Sequence, residues 1–144
     1  EELKQIVSWA QRPFILKGIM TARGAEKALE AGASGIVVSN HGGRVLDHCP
    51  ATAEVLPEIV DAVGGKMTIF VDGAIRSGMD MFKALALGAD AVLIGRPFVT
   101  TVYGGGEEGV QLYVQKLKAE LADTMRMCGA HSLAEIKRSM LFGF

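Results

Sequence analysis

Short apolar runs alternate with amphipathic segments along most of the chain. Four runs have strand length and continuously apolar interiors, a pattern typical of parallel strands buried on both faces. They cover residues 14–17, 35–39, 68–72 and 91–94. The spacing of apolar residues predicts helices at about residues 22–31, 53–63 and 78–87. This alternation predicts βα units built around a parallel sheet.

The C-terminal third predicts two further helices. One spans about residues 107–127 and carries a single apolar stripe formed by Val110, Val114, Leu117, Leu121 and Met125. The preceding Tyr103-Gly104-Gly105-Gly106 predicts a flexible connector, which we interpret as a hinge. A last short helix is expected to start at Ser132, where Ser132 and Glu135 form a capping box.

An internal repeat favours a barrel. Residues 28–38 resemble residues 84–94, and each copy leads to a Gly/Arg turn, Gly42-Gly43-Arg44 or Gly95-Arg96-Pro97. Repeated pairs of βα modules are expected of a (β/α)8 TIM barrel, which takes roughly 250 residues. The four βα units predicted in this chain would form half of such a barrel, and the half-barrel would have two unpaired strand edges. We therefore expect a partner half, either a second chain or a second copy; a flavodoxin-like open sheet is the structural alternative.

Composition narrows the class of protein. The 144 residues suffice for one compact domain, and 15 Lys and Arg nearly balance 16 Asp and Glu, for a net charge of −1. This balance predicts neither nucleic acid nor an anionic membrane as partner. The apolar runs are shorter than the roughly 20 residues of a membrane span, and no signal-peptide core opens the chain. Cys49 and Cys128 fit no metal-ligand spacing, so we expect no metal and reduced thiols in a cytoplasmic protein.

Polar residues stand where the four predicted strands end, which is where barrels place their active sites. The turns Asp72-Gly73-Ala74-Ile75-Arg76 and Ile94-Gly95-Arg96-Pro97 follow the last two strands, where barrels frequently bind phosphate. Their glycines allow close backbone approach, and arginine supplies a bidentate fork. Both turns together predict a phosphate site. The alternative is that Arg76 and Arg96 are surface or ion-pair residues.

His41 and Arg44 are candidates for the chemistry itself. His41 follows a buried strand by two residues and precedes Arg44 by three. An imidazole accepts a proton near pH 7, whereas arginine stays charged and clamps carboxylates. The alternative is a structural histidine, as we interpret His48 and His131. Lys17 ends a predicted apolar strand, which would place its ammonium group at the mouth of the barrel. The alternative is a lysine that only extends toward solvent.

Several segments together resemble a known family. They are Lys17-Gly18-Ile19, Ser39-Asn40-His41-Gly42-Gly43-Arg44, Val71-Asp72-Gly73-Ala74-Ile75-Arg76 and Ile94-Gly95-Arg96-Pro97. From about Phe14 to Met140 the chain resembles the FMN-dependent α-hydroxy-acid oxidases and dehydrogenases, the family of glycolate and lactate oxidase. The resemblance implies that residues 1–144 are the C-terminal half, strands 5–8, of an FMN-binding TIM barrel. It also implies oxidation of a small (S)-2-hydroxy acid such as lactate or glycolate to the 2-oxo acid.

The resemblance implies a role for each matching residue. His41 resembles the catalytic base, Arg44 the arginine that pairs with the substrate carboxylate, and Lys17 the lysine beside flavin N1 and O2. Ser39 resembles a contact of the flavin ring. The residues expected to hold the FMN ribityl chain and phosphate are Asp72, Gly73, Ala74, Arg76, Gly95 and Arg96. Ala74 departs from the pattern, since many members have a second glycine there.

The resemblance also implies partners. The N-terminal half, from the same gene product or a separate chain, is expected to complete the substrate pocket, so the chain alone should be inactive. The complete barrel is expected to form a homo-oligomer. Two alternatives remain open. One is another phosphate-binding barrel, such as type 2 isopentenyl-diphosphate isomerase or IMP dehydrogenase. The other is a non-catalytic half-barrel that binds FMN or phosphate or serves as an assembly partner.

Overall fold

The structure, a computed structural model, describes residues 1–143 as alternating helices and parallel strands. The strands are β1 (Ile15–Ile19), β2 (Gly35–Val38), β3 (Thr68–Val71) and β4 (Ala91–Val92). The helices are α1 (Glu2–Ala10), α2 (Ala22–Glu30), α3 (Thr52–Val63), α4 (Gly78–Ala86) and α5 (Arg96–Cys128). Single 3₁₀ turns lie at His41–Gly43, Leu133–Glu135 and Arg138–Met140. The predicted alternation of strands and helices is confirmed.

The strands form one parallel sheet in the order β1-β2-β3-β4. Sequence neighbours are therefore sheet neighbours, without the reversal of order that defines a flavodoxin-like open sheet. Because βα crossovers are right-handed, this order places the connecting helices on one side of the sheet. Helix α2 packs on α3, and α4 packs on α5. Within residues 1–143, β1 and β4 each pair with a single strand, so both outer edges are open.

The core lies between the sheet and its helices. Alternate strand residues enter it, and its largest fully buried side chains are Ile36, Val38, Leu56, Ile59, Val63 and Ile69. The opposite face of the sheet is covered only in part. Val37 of the inner strand β2 is 4% exposed, but Ile15 of β1 is 46% exposed and Leu93 beyond β4 is 38% exposed. Apolar residues thus occupy both faces, and within the described residues the face opposite the helices is exposed at the outer strands.

Of the polar residues predicted to end the first three strands, two lie just beyond their strands, whereas Lys17 lies within β1, which continues to Ile19. Ser39 and Asp72 were predicted as the last residues of their strands, but β2 ends at Val38 and β3 at Val71. Strand β4 contains two residues instead of four. After these points the backbone leaves the ladder to form the turns described below. The shorter strands therefore lengthen the loops that carry the polar side chains.

The C-terminal third differs from the prediction only in part. The chain is already helical from Arg96, which was not predicted. Helix α5 then breaks at Gly106 (φ 54°, ψ −136°), within the predicted connector, and its second segment corresponds to the helix predicted at about residues 107–127. Glycine tolerates this conformation because it lacks a Cβ atom. The helix expected from Ser132 is only a 3₁₀ turn, in which Ser132 Oγ bonds the Glu135 carboxylate at 3.1 Å instead of capping a backbone N–H. None of the described helices is long and apolar enough to cross a membrane.

Candidate active site

An open cavity of about 320 Å³ lies at the carboxyl ends of the strands. Nine of the predicted site residues line it: Lys17, His41, Arg44, Asp72, Gly73, Ala74, Arg76, Gly95 and Arg96. The tenth, Ser39, is only 2% exposed and lies beneath the cavity, where it is bonded to Lys17. The structure therefore brings all ten residues together, although they are spread over 80 positions of the chain.

Lys17, Ser39 and Asp72 connect the ends of three adjacent strands. Lys17 forms an ion pair with Asp72 and donates a hydrogen bond to Ser39 Oγ at 2.9 Å. Ser39 Oγ also accepts the backbone N–H of His41 at 3.2 Å. The Lys17 side chain is half exposed, so its charge is not desolvated. Because Asp72 and Ser39 hold its ammonium group at the cavity, Lys17 does not simply extend into solvent.

The loop after β2 presents His41 and Arg44. His41, Gly42 and Gly43 all adopt left-handed backbone conformations, with φ of 56°, 65° and 70°. The Asn40 side chain stabilises this turn, since Oδ1 accepts the N–H of Gly42 at 2.9 Å and Nδ2 donates to the Pro50 carbonyl at 3.3 Å. Both His41 and Arg44 are exposed to the cavity. Asn40 was not predicted as a site residue, although asparagine is a typical turn former.

The first predicted phosphate turn follows β3. Gly73 has φ 98° and Ala74 has φ 57°. Positive φ is uncommon for residues other than glycine, asparagine and aspartate, so the backbone of Ala74 adopts an unusual conformation. Within the described chain, the backbone N–H groups of Gly73, Ala74 and Ile75 donate to no protein acceptor. Successive unpaired N–H groups form a concave site that favours anions. The methyl group of Ala74 therefore leaves its backbone N–H free for a ligand.

Asp80 anchors the far end of the same turn. Its Oδ2 accepts hydrogen bonds from the N–H of Arg76 at 3.1 Å, the N–H of Ser77 at 3.0 Å and the Ser77 hydroxyl at 2.8 Å. Burial by itself raises the pKa of the Asp80 carboxyl, but these hydrogen bonds outweigh it and hold the pKa below its ordinary value. The backbone at Arg76 is therefore anchored from outside the cavity.

The second turn places Arg96 against the loop of His41. A Cβ atom built on Gly42 would lie 2.2 Å from Arg96 Nη2, so the guanidinium group contacts the Gly42 backbone. In the part of the chain that the structure describes, no carboxylate pairs with Arg44, Arg76 or Arg96. The ion-pair alternative for Arg76 and Arg96 is therefore wrong within the described residues, although both side chains are exposed at the surface of the cavity. The cavity carries uncompensated positive charge, which favours an anionic ligand.

One acceptor in the cavity is unsatisfied. Asp72 Oδ1 is buried, and no hydrogen-bond donor among residues 1–143 reaches it. An unpaired buried polar group costs about 1–3 kcal/mol. A hydroxyl group on a ligand would satisfy this oxygen, while the N–H groups and arginines would bind a phosphate. The donors and acceptors thus fit a phosphorylated ligand with a hydroxylated chain.

Comparisons with known proteins agree with this chemistry. A family profile described as FMN-dependent dehydrogenase matches residues 1–142. A peroxisomal (S)-2-hydroxy-acid oxidase of Oryza sativa subsp. japonica is 50% identical over 139 residues, which are 96% of this chain and 37% of the relative. An L-lactate oxidase of Roseobacter sp. (strain GAI101) is 44% identical over 144 residues, which are 100% of this chain and 39% of the relative. The chain thus spans about two fifths of the length of these relatives.

Solved structures show the same similarity. A mandelate oxidase crystallised with 3,3-difluoro-2-hydroxy-3-phenylpropionic acid superposes with a TM-score of 0.91 at 44% identity. The match covers 94% of this chain and 41% of that one. A mandelate oxidase variant carrying a monooxide FMN adduct gives the same TM-score and identity, with 43% of its chain covered.

Proposed function

This chain belongs to the FMN-dependent dehydrogenase family, a family of hydroxy-acid oxidases, and we propose that it supplies half of an active site oxidising small (S)-2-hydroxy acids to 2-oxo acids. Lactate and glycolate are the expected kind of substrate. The observation that carries the proposal is the single cavity in which His41, Arg44 and Lys17 meet the two arginine turns. A proton acceptor, a carboxylate clamp and an anion site are the groups that this oxidation requires.

The residues present fit FMN. The free N–H groups after Asp72, together with Arg76 and Arg96, would hold its phosphate. The unsatisfied Asp72 Oδ1 would accept a ribityl hydroxyl. Lys17 would place its positive charge beside the flavin ring, where it favours an anionic form. When bound, FMN supplies the acceptor for the two electrons that leave the substrate.

His41 and Arg44 act on the substrate in this proposal. His41 would take a proton from the substrate as two electrons leave it for the bound cofactor, and Arg44 would bind the carboxylate with its bidentate fork. Both side chains come from one turn whose backbone is tied by Ser39 and Asn40. The relative placement of base and clamp therefore depends on this turn and on the distant side chains that contact it, since Lys17 bonds Ser39 and Arg96 contacts the Gly42 backbone.

We further propose that the chain works within a complete (β/α)8 barrel, as strands 5–8, with a complementary half-barrel as its partner. The open edges of β1 and β4 support this, because unpaired parallel strand edges are rare in water. The exposed Ile15 and Leu93 support it as well, since they face the side of the sheet that a barrel interior would fill. The length of the relatives leaves room for such a half.

The test uses the complete protein that carries this chain. We expect a yellow protein whose flavin absorbance is bleached anaerobically by lactate or glycolate. His41→Ala should keep the flavin and abolish the bleaching, while His48→Ala, an exposed histidine of the same loop that does not line the cavity, should bleach normally. A flavin that stays oxidised across a panel of 2-hydroxy acids would refute the proposed reaction. A stable assembly that binds no flavin would favour a scaffold instead.

A further inference from the structure

Tyr113 contacts both phosphate turns at once. Its hydroxyl donates a hydrogen bond to the Arg76 carbonyl at 2.9 Å. Its ring packs edge-to-face on Phe98, with ring centroids 5.1 Å apart and an interplanar angle of 72°. Phe98 follows Arg96 of the second turn by only two residues. One side chain therefore spans the two segments that the proposed function assigns to the FMN phosphate.

We propose that Tyr113 is a positioning residue that fixes the spacing of the two phosphate turns and thereby sets the preference for a phosphorylated flavin over its unphosphorylated form. This inference rests on the proposed function, because it concerns the same cavity. Tyr113 does not line that cavity, so it acts on the ligand only through Arg76 and through the start of α5.

The break in α5 makes this contact possible. Phe98 and Tyr113 belong to one helix and are 15 residues apart, which corresponds to about 22 Å along a straight α-helix. The break at Gly106 turns the second part of the helix back on the first, so the two rings meet at 5.1 Å. The glycine run in front of Tyr113 thus provides the hinge expected from the sequence, and this hinge brings Tyr113 to Phe98.

The second part of α5 is held firmly where it meets the first turn. Glu120 Oε2 accepts the N–H of Gly78 at 2.8 Å. A Cβ atom on Gly78 would lie 2.2 Å from the Leu121 nitrogen, so the start of α4 touches the α5 backbone directly. Because these contacts set the position of α5, the Tyr113 hydroxyl stays over the Arg76 carbonyl.

The Arg76 backbone is then bound on both sides. Asp80 accepts its N–H, and Tyr113 donates to its carbonyl. Burial raises the pKa of the Tyr113 phenol above its ordinary value, so the hydroxyl remains a donor over the whole physiological range. With its backbone held, the Arg76 guanidinium starts from a fixed point and loses less freedom when it binds an anion.

The test compares two tyrosine variants of the complete protein. Tyr113→Phe removes the hydroxyl but keeps the ring, and Tyr103→Phe removes the hydroxyl of a tyrosine on the same helix that is 89% exposed. We expect Tyr113→Phe to weaken FMN about five- to tenfold in a fluorescence titration, the loss expected for one hydrogen bond. Riboflavin, which lacks the phosphate, should bind as it does to the wild type. Tyr103→Phe should change neither affinity.

Two further readouts separate positioning from a merely structural role. The ³¹P resonance of bound FMN should shift in Tyr113→Phe and stay unchanged in Tyr103→Phe. Phe98→Leu, which removes the contact from the other turn, should lower the FMN-to-riboflavin affinity ratio in the same direction. The inference is overturned if Tyr113→Phe binds FMN like the wild type, or if both flavins weaken equally. A wild type that binds neither flavin overturns the proposed function and this inference together.

Discussion

Thr52 offers a direct test of how the cofactor turn is held. It is the first residue of α3, 5% exposed, and its hydroxyl donates to the Asp72 carbonyl at 2.6 Å. The same oxygen lies 2.9 Å from where a Cβ atom on Gly73 would stand. Thr52 therefore connects the end of the His41 loop to the beginning of the first phosphate turn. Sequence analysis did not identify it as a site residue.

Two substitutions distinguish the contribution of the Thr52 hydroxyl group from that of its methyl group. Thr52→Val keeps the shape but leaves the Asp72 carbonyl without its donor, which costs about 1–3 kcal/mol of unfolding free energy. Thr52→Ser keeps the donor and removes one methyl group, at a cost of about 1 kcal/mol. The valine variant should also bind FMN at least about fivefold more weakly, because about 1 kcal/mol lost from the turn corresponds to that factor. The serine variant should bind FMN normally.

Urea unfolding of the complete protein measures the change in unfolding free energy. If the dependence of that free energy on urea concentration is unchanged, the unfolded states of the variants are comparable. A fluorescence titration with FMN measures the second. If the valine variant is as stable as the wild type, the hydrogen bond does not hold the turn. If serine weakens FMN as much as valine does, the methyl group rather than the hydroxyl positions Asp72, and the reasoning above is refuted.

Two other substitutions test the cavity and its anchor. Gly42→Ala adds a Cβ atom 2.2 Å from Arg96 Nη2 at a φ of 65°. We expect it to displace the guanidinium and weaken FMN several-fold, and to cost about 1–2 kcal/mol of unfolding free energy because alanine is strained at this φ. Normal FMN affinity would contradict this. Asp80 has a lowered folded pKa, so its contribution to stability is present above its ordinary value of 3.8 and is lost as the pH falls through the folded value. In Asp80→Asn, the unfolding free energy measured in urea titrations should therefore fall less between about pH 5 and pH 2 than it does in the wild type. If it falls equally in both proteins, Asp80 does not contribute to the acid sensitivity.

Sequence reasoning predicted the layered fold and most of the cavity because both depend on local patterns. A strand buried on both faces must be apolar throughout, so the polar residues Ser39 and Asp72 indicate where β2 and β3 end, and Lys17 lies two residues before the end of β1. In parallel strands these ends meet at one edge of the sheet, which places distant segments together without any knowledge of their contacts. Lys17 and Asp72 were assigned to the same site for this reason, and the structure joins them in an ion pair.

Sequence reasoning was less accurate about how far the C-terminal helices extend. The glycines before Tyr113 predicted a flexible connector because glycine lowers helix propensity, but the chain is helical from Arg96 and the break is confined to Gly106. Ser132 and Glu135 have the spacing of a capping box, yet only a 3₁₀ turn follows. In both places the local pattern located the feature but not its extent.

What the sequence by itself determined is the order of strands and helices and the set of polar side chains at the strand ends, since periodicity and burial specify these one residue at a time. Only the tertiary structure decided which groups hold those side chains in place. Thr52 is 20 residues from Asp72 and Tyr113 is 37 residues from Arg76. No local pattern encodes such pairs, because their contact depends on where the helices come to rest on the sheet and where Gly106 breaks α5.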